Sequence, residues 1–221
     1  SGSVYSQEET AAIADVLRKH DNVFTISDEI YELINFTSRH ASLAAEPGMI
    51  ERVITVNGVS KGFAMTGWRL GYMGAPKWIA AACTKIQGQF TSAPCSITQA
   101  AAAEAVEQDP SIANSMLEAF LRRRNAMHAD LSKVPGIKLN LPMGAFYLFP
   151  DISDLFGLSY GGKTLNNSED VAMYLIEEAH VATVSGAAFG TPECIRISYA
   201  ASDEVLAEAV RRIDAAVRKL S

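Results

Sequence analysis

Apolar residues recur along this chain in two rhythms, and the rhythm changes part-way. Val23–Ser27 (VFTIS) and Arg52–Val56 (RVITV) are short runs rich in β-branched residues, and both read as buried strands. About 25 residues separate them, room for the crossover that parallel strands require. Leu70–Gly74 is a third candidate strand, and only about a dozen residues part it from the second, so an antiparallel return is expected. Thr10–Lys19 has helical spacing and follows Ser6 and Glu9, the pair that forms a capping box. Trp78–Gln89 and Ser96–Glu107 are apolar-rich at helical spacing, and Asp109-Pro110 breaks that pattern. Ser111–Val134 reads as a long helix ended by Pro135-Gly136. Beyond it, Ala145–Phe149, Val181–Val184 and Ile195–Tyr199 read as strands. Ser168–Ala179 reads as a helix, and Asp203–Leu220 as a last one capped by Ser202. Gly157–Asn167 is the one long loop. The fold class is therefore α/β alternation first and an α+β set afterwards, with a boundary near Pro110 that divides the chain into 1–109 and 110–221.

With 221 residues, 48% hydrophobic and 20% charged, the chain can bury a real core and reads as a soluble globular protein. A net charge of -6 argues against nucleic acid as a partner, and still permits a local basic pocket for a small anion. No apolar run approaches the roughly 20 residues that span a bilayer, and no signal-peptide pattern opens the chain, so no membrane partner is expected. Cys83, Cys95 and Cys194 are odd in number and far apart, which suggests neither a disulfide framework nor a metal site, and a reduced cytoplasmic setting. His20, His40, His128 and His180 lack ligand spacing to one another, so no metal is expected and they read as helix-end or surface residues. Trp68 and Trp78 read as packing residues, and Arg122–Arg124 as a solvated helix face or a dimer contact. The chain starts at Ser1 without methionine and a helix signal arrives at once, so a processed or truncated piece is expected.

Open α/β sheets bind ligands in the crevice beyond the carboxyl ends of their parallel strands. Asp28 follows the first strand immediately, and Lys61 lies just beyond the second. If the third strand is antiparallel, its start lies at that same edge, where Arg69 sits. Strand order alone thus directs three charged residues toward one crevice. Their types suit a phosphorylated aldehyde cofactor. A lysine amine forms a Schiff base when burial or cationic neighbours lower its pKa. The arginine fork matches a phosphate. A carboxylate can hold a pyridine nitrogen protonated and so strengthen an electron sink. Taken singly, each has a plain alternative: a solvated loop lysine, a turn-forming aspartate, a surface ion pair.

Taken together they match a known pattern. Val56–Gly71 (VNGVSKGFAMTGWRLG) carries Ser60-Lys61, Phe63, Thr66-Gly67, Arg69 and Gly71 at the spacing of a cofactor-attachment motif. It resembles the pyridoxal-phosphate lysine segment of class I/II aminotransferases of fold type I. Ser27–Tyr31 (SDEIY) resembles that family's Asp-Glu-x-Tyr segment, and Gly144–Phe149 (GAFYLF) and Cys194–Ala200 (CIRISYA) resemble two later ones. Thr183–Gly190 (TVSGAAFG) resembles the Pro-Gly-x-x-Phe-Gly loop, with Ser185 where proline is usual. The resemblance covers nearly the whole chain and points to its being the C-terminal portion of a longer, aspartate aminotransferase-like protein.

That resemblance implies a pyridoxal-phosphate-transferase large domain, in part, with a mixed, mostly parallel sheet, then a small α+β C-terminal domain. It implies transamination between an amino acid, aspartate-like, and a 2-oxo acid. Lys61 would hold pyridoxal 5'-phosphate as a Schiff base and shuttle the proton at the substrate Cα. Asp28 would pair with the pyridine nitrogen and Tyr31 with the phenolic oxygen. Arg69, helped by Ser60, would bind the phosphate. Arg196 would hold the substrate carboxylate, and alternation in CIRISYA turns it away from the face of Ile195 and Ile197. The resemblance also implies a homodimer in the full-length protein, where the upstream half would complete the site. The chain alone is therefore expected to be inactive, with apolar faces and an open sheet edge uncovered. Two alternatives use the same scaffold: a pyridoxal-phosphate lyase, or the effector-binding domain of a transcription regulator.

Overall fold

A computed structural model describes residues 1–37 and 39–221. They form two compact units, Val4–Leu117 and Ser1–Ser3 with Glu118–Ser221. The division falls beyond the expected boundary at Pro110. Asp109 and Pro110 open only a 3-10 turn, Pro110–Ala113, which runs straight into the helix that carries the division.

In the unit Val4–Leu117, helix α1 (Gln7–Leu17) starts on the predicted capping box. The Ser6 hydroxyl accepts from the Glu9 N–H at 3.2 Å, and the Glu9 carboxylate accepts from the Ser6 N–H at 2.8 Å. Strands β1 (Thr25–Asp28), β2 (Val53–Gly58) and β3 (Gly71–Gly74) form a sheet in that order. β1 and β2 run parallel, while β3 returns antiparallel as expected. One pair of each kind means that the sheet is mixed but not mostly parallel among the described residues. Among the described residues, the crossover from β1 to β2 contains turns and a 3-10 segment, Leu43–Ala45, and no α-helix. It closes over the core of Ala14, Leu43, Met49 and Val53, with Leu17 and Ala44 at its margin. Helices α2 (Lys77–Phe90) and α3 (Ser96–Glu107) follow. No residue of α2 is buried, and Ile26, Ile86, Phe90 and Ile97 are exposed. The apolar faces expected to lie bare do so among the described residues.

Helix α4 (Asn114–Leu131) leads into the other unit. Strands β4 (Tyr147–Leu148), β5 (Ser159–Tyr160) and β6 (Lys163–Thr164) come next. Then follow helix α5 (Ser168–Tyr174), strands β7 (Val184–Ser185) and β8 (Ile195–Ser198), and helix α6 (Asp203–Val217). β8 is the central strand of an antiparallel sheet, β4-β8-β7. The expected loop Gly157–Asn167 contains the β5–β6 hairpin, because Gly161 and Gly162 both take the positive φ of a tight two-residue turn. The helix expected over Ser168–Ala179 is α only through Tyr174 and finishes as a π turn, Leu175–Ala179. Ser202 caps α6 as predicted, accepting from the Val205 N–H. Leu206, Val210, Ile213 and Val217 form its buried stripe at helical spacing. Among the described residues no helix is long and apolar enough to cross a membrane, and all three cysteines are free.

Candidate active site

The sheet register decides which side chains share an edge. Asp28 pairs with Val56, and Gly58 pairs with Gly71, so the ends of β1 and β2 and the start of β3 lie together. Asp28 closes β1 there, Ser60 and Lys61 follow β2, and Arg69 precedes β3.

Asp28 is exposed, and one carboxylate oxygen accepts from the Ile30 N–H at 3.2 Å, forming a local turn. The chain then winds through bonds from the Glu32 N–H to the Glu29 carbonyl and from the Ile34 N–H to the Tyr31 carbonyl. Tyr31 is half-buried in this turn. The loop after β2 is drawn tight by bonds from the Met65 N–H to the Val59 carbonyl and from the Ala64 N–H to the Lys61 carbonyl, 3.2 and 3.1 Å. Ser60 and Lys61 are half-buried in it. A Cβ at Gly62 would stand 2.9 Å from the Leu33 side chain, so glycine lets the lysine loop lie against the turn that carries Tyr31.

Ala64 and Arg69 both have φ of +53°. Left-handed backbone at non-glycine residues costs of order 1–3 kcal/mol each and clusters where a ligand is clamped. Arg69 donates one N–H to the Thr66 carbonyl at 3.0 Å and is otherwise exposed. The rest of its fork has no partner among the described residues, which suits a multivalent anion.

Arg196 belongs to the other unit. In β8 its neighbours Ile195 and Ile197 are buried while Arg196 is half-buried, as alternation requires. Its guanidinium lies over the rings of Tyr147 at 4.5 Å and Phe189 at 4.4 Å. It makes no ion pair among the described residues. Two aromatic faces thus hold a cation without an anion, an arrangement able to take a carboxylate. Phe189 ends a 3-10 turn begun at Gly186, and Ser185 caps that turn. Ser185 has φ of −54°, close to the value proline imposes, and its hydroxyl adds a bond to Ser168 at 2.8 Å.

Several residues stand differently from expectation. His40 is not a plain surface residue: its Nε2 lies 2.7 Å from the Glu29 carboxylate. Burial works to raise the Glu29 carboxyl, but hydrogen bonds from His40, Ser27 and Ser42 outweigh it and hold the group below its ordinary range. The bond to Glu29 raises the His40 imidazole despite its partial burial. Arg124 is buried and donates to the Pro142 carbonyl at 2.9 Å, while Arg122 and Arg123 pair with Asp203. Consecutive helical residues are turned from one another about the axis, so Arg124 packs inward while its two neighbours meet one carboxylate, and the run of arginines is not one solvated face. Trp68, expected in a packing role, is 45% exposed, whereas Trp78, though 63% exposed, packs edge-on against the Phe24 ring at 5.5 Å. Only the glutamate of SDEIY hinted at the Glu29 cluster, and nothing in the spacing pointed to His40.

A family model described as aminotransferase class I and II matches residues 1–213. The chain belongs to this family. Among aminotransferase relatives, a bifunctional aspartate aminotransferase and glutamate/aspartate-prephenate aminotransferase of Petunia hybrida is 46% identical over 222 residues, covering 98% of this chain and 46% of the relative. An aspartate/prephenate aminotransferase of Cereibacter sphaeroides is 44% identical, covering all of this chain and 56% of the relative. The crystal structure of an aspartate aminotransferase from Rhizobium meliloti superposes with a TM-score of 0.95 at 41% identity, over all of this chain and 56% of that one. The chain therefore has an aminotransferase α/β fold and spans about half the length of the curated relatives it matches.

Proposed function

We propose that this chain carries the lysine, phosphate and ring-nitrogen contacts of a pyridoxal-phosphate-dependent aminotransferase. The reaction moves an amino group between an aspartate-like amino acid and a 2-oxo acid. One observation carries the reading: Asp28, Lys61 and Arg69 stand at one end of a three-stranded sheet. The names of the relatives, aspartate and aspartate/prephenate aminotransferases, support the substrate class.

The residues present fit the cofactor. Arg69 has N–H groups to spare for a phosphate, and the second oxygen of Asp28 has no partner among the described residues. When bound, pyridoxal phosphate supplies an aldehyde for a lysine amine and a ring that accepts the electron pair left at the substrate Cα. Lys61 provides that amine and moves the proton at the substrate Cα. Asp28 holds a proton at the ring nitrogen, and Tyr31 donates its O–H to the phenolic oxygen. Arg69 and Ser60 bind the phosphate. Arg196 binds the substrate α-carboxylate as a bidentate pair.

Because the chain spans about half of its relatives, the rest of a family-length protein, as a homodimer in a reducing cytoplasm, completes the site. This chain alone turns over little or no substrate. The test is an absorbance spectrum after incubation with pyridoxal phosphate, comparing wild type with Lys61→Ala. A visible band lost in the variant is the expected result. Absence of any Lys61-dependent band, here and in a family-length protein, would refute the reading. A panel of amino acids scored for 2-oxo acid formation separates transamination from lyase chemistry.

A further inference from the structure

We infer that Glu29 and His40 form a charged hydrogen-bonded pair that positions Asp28 and Tyr31 for the cofactor. The inference rests on the reading that Asp28 and Tyr31 face pyridoxal phosphate.

The Glu29 side chain is only 6% exposed. A buried carboxylate without partners is strongly unfavourable, so its surroundings must supply donors. One oxygen accepts from the hydroxyls of Ser27 and Ser42, both at 2.9 Å, and the other meets His40 Nε2 at 2.7 Å. Ser27 comes from β1, whereas His40 and Ser42 come from the crossover that follows. Successive strand residues point to opposite faces, and Ser27 and Glu29 share one face, as their bond shows. Drawing Glu29 inward therefore turns Asp28 to the other face, where it is exposed.

The same turn is tied on its far side. Glu32 accepts from the buried Asn57 amide at 2.7 Å, and the Asn57 oxygen accepts from the Gly58 N–H at 2.7 Å. Tyr31 thus sits between two anchored glutamates. The second anchor lies on β2 just ahead of Ser60 and Lys61, which ties the two limbs of the candidate site to each other.

The charged groups that act on His40 are Glu29 and Glu32, and Tyr72 of β3 in turn feels Glu32. Both carboxylates favour a protonated imidazole. Glu29, Glu32 and His40 also bring ligand atoms within 4.8 Å of one another, a spacing that could hold a divalent cation. The direct 2.7 Å contact of His40 with Glu29 places a proton between them instead of an ion.

The experiment is a pyridoxal phosphate titration of the 221-residue chain across pH 6–9, with melting temperatures of the ligand-free protein in parallel. The proteins are wild type, Glu29→Gln, His40→Gln, Ser42→Ala and Lys61→Ala. Each substitution in the cluster is expected to weaken cofactor affinity by about tenfold, the worth of one charge-assisted hydrogen bond. Wild-type affinity is also expected to fall as pH rises through the His40 titration, a step that His40→Gln lacks. A role in folding alone would lower melting temperature and leave that step in place. Folded variants with wild-type affinity and an unchanged pH profile overturn the inference, and if Glu29→Gln does not fold, Ser42→Ala and His40→Gln decide the matter. If Zn2+ tightens cofactor binding in wild type but not in His40→Gln, the cluster is a metal site and the inference falls. If wild type shows no Lys61-dependent binding, the reading of the whole site fails with it; if that binding is present but the cluster is silent, only this inference fails.

Discussion

Replacing Gly186 by alanine sets two expectations against each other. Where the backbone is unstrained, glycine to alanine stabilises by about 0.4–1 kcal/mol, because the unfolded chain loses freedom. Gly186 opens a 3-10 turn and is not among the positive-φ glycines, so its backbone alone predicts that sign. Its surroundings predict the reverse. A Cβ at this position would overlap the main-chain oxygens of Thr191 and Cys194. Neither can easily retreat, since the Gly186 N–H donates to the Cys194 carbonyl at 2.7 Å and the Thr191 N–H to the Gly186 carbonyl at 3.0 Å. Overpacking costs about 1–3 kcal/mol, and each of the two bonds about 0.5–1.5 kcal/mol if broken. Set against the gain, a net loss of about 1–5 kcal/mol follows, or about 2–20 °C in the unfolding midpoint at this chain length. The same turn ends at Phe189, 4.4 Å from the Arg196 guanidinium, so the carboxylate binding proposed for Arg196 should weaken as well. Thermal unfolding followed by circular dichroism, with succinate binding by calorimetry, reads both effects. A variant as stable as wild type, or more so, refutes the reasoning.

Gly88→Ala should have the opposite sign: the residue lies inside α2 with nothing near a new Cβ, and urea denaturation should show a gain of about 0.8–1 kcal/mol. Arg196→Lys keeps the charge but loses the fork, and should weaken succinate binding by about 10–100-fold, the loss of one bond to a charged group; an unchanged dissociation constant would count against a bidentate role. Backbone N–H groups of Thr98 and Ile97 lower the pKa of the exposed Cys95 thiol. Cys95 alkylation by iodoacetamide should therefore reach half its maximal rate at a lower pH than in an unstructured peptide. His40, raised above its ordinary value of 6.5 by its bond to Glu29, contributes stability that is complete below that pH and lost as pH rises through the raised value. Glu29, held below its ordinary 4.5 by bonds that outweigh its burial, contributes above that pH and loses the contribution as pH falls. The stability gap between wild type and His40→Gln, measured in urea, should therefore narrow as pH rises through the raised His40 value; a gap constant with pH would contradict the pairing.

Much of the site's placement was written into the chain. Two short β-branched runs with room for a crossover between them, and the short spacing between Val56 and Leu70, pointed to a parallel pair and an antiparallel return, and that order put Asp28, Lys61 and Arg69 at one sheet end. Such features depend on neighbours in sequence, where strand alternation, turn length and capping act locally. The capping box at Ser6 and the cap at Ser202 were legible for the same reason.

Tertiary structure decided what depends on the path of a crossover or the facing of a helix. The pairing of Glu29 with His40 and Ser42 follows from where an irregular loop returns, and no periodicity encodes that return. Arg124 is buried and donates to the Pro142 carbonyl, 18 residues on, while Arg122 and Arg123 reach Asp203 some 80 residues away, a distinction made by packing partners remote in sequence. The two rings around Arg196 come from β4 and from the turn before Gly190, brought together only when β8 takes its central place. Local chemistry is a property of adjacent residues, whereas burial and charge pairing are properties of a closed surface, which exists only once the chain has folded.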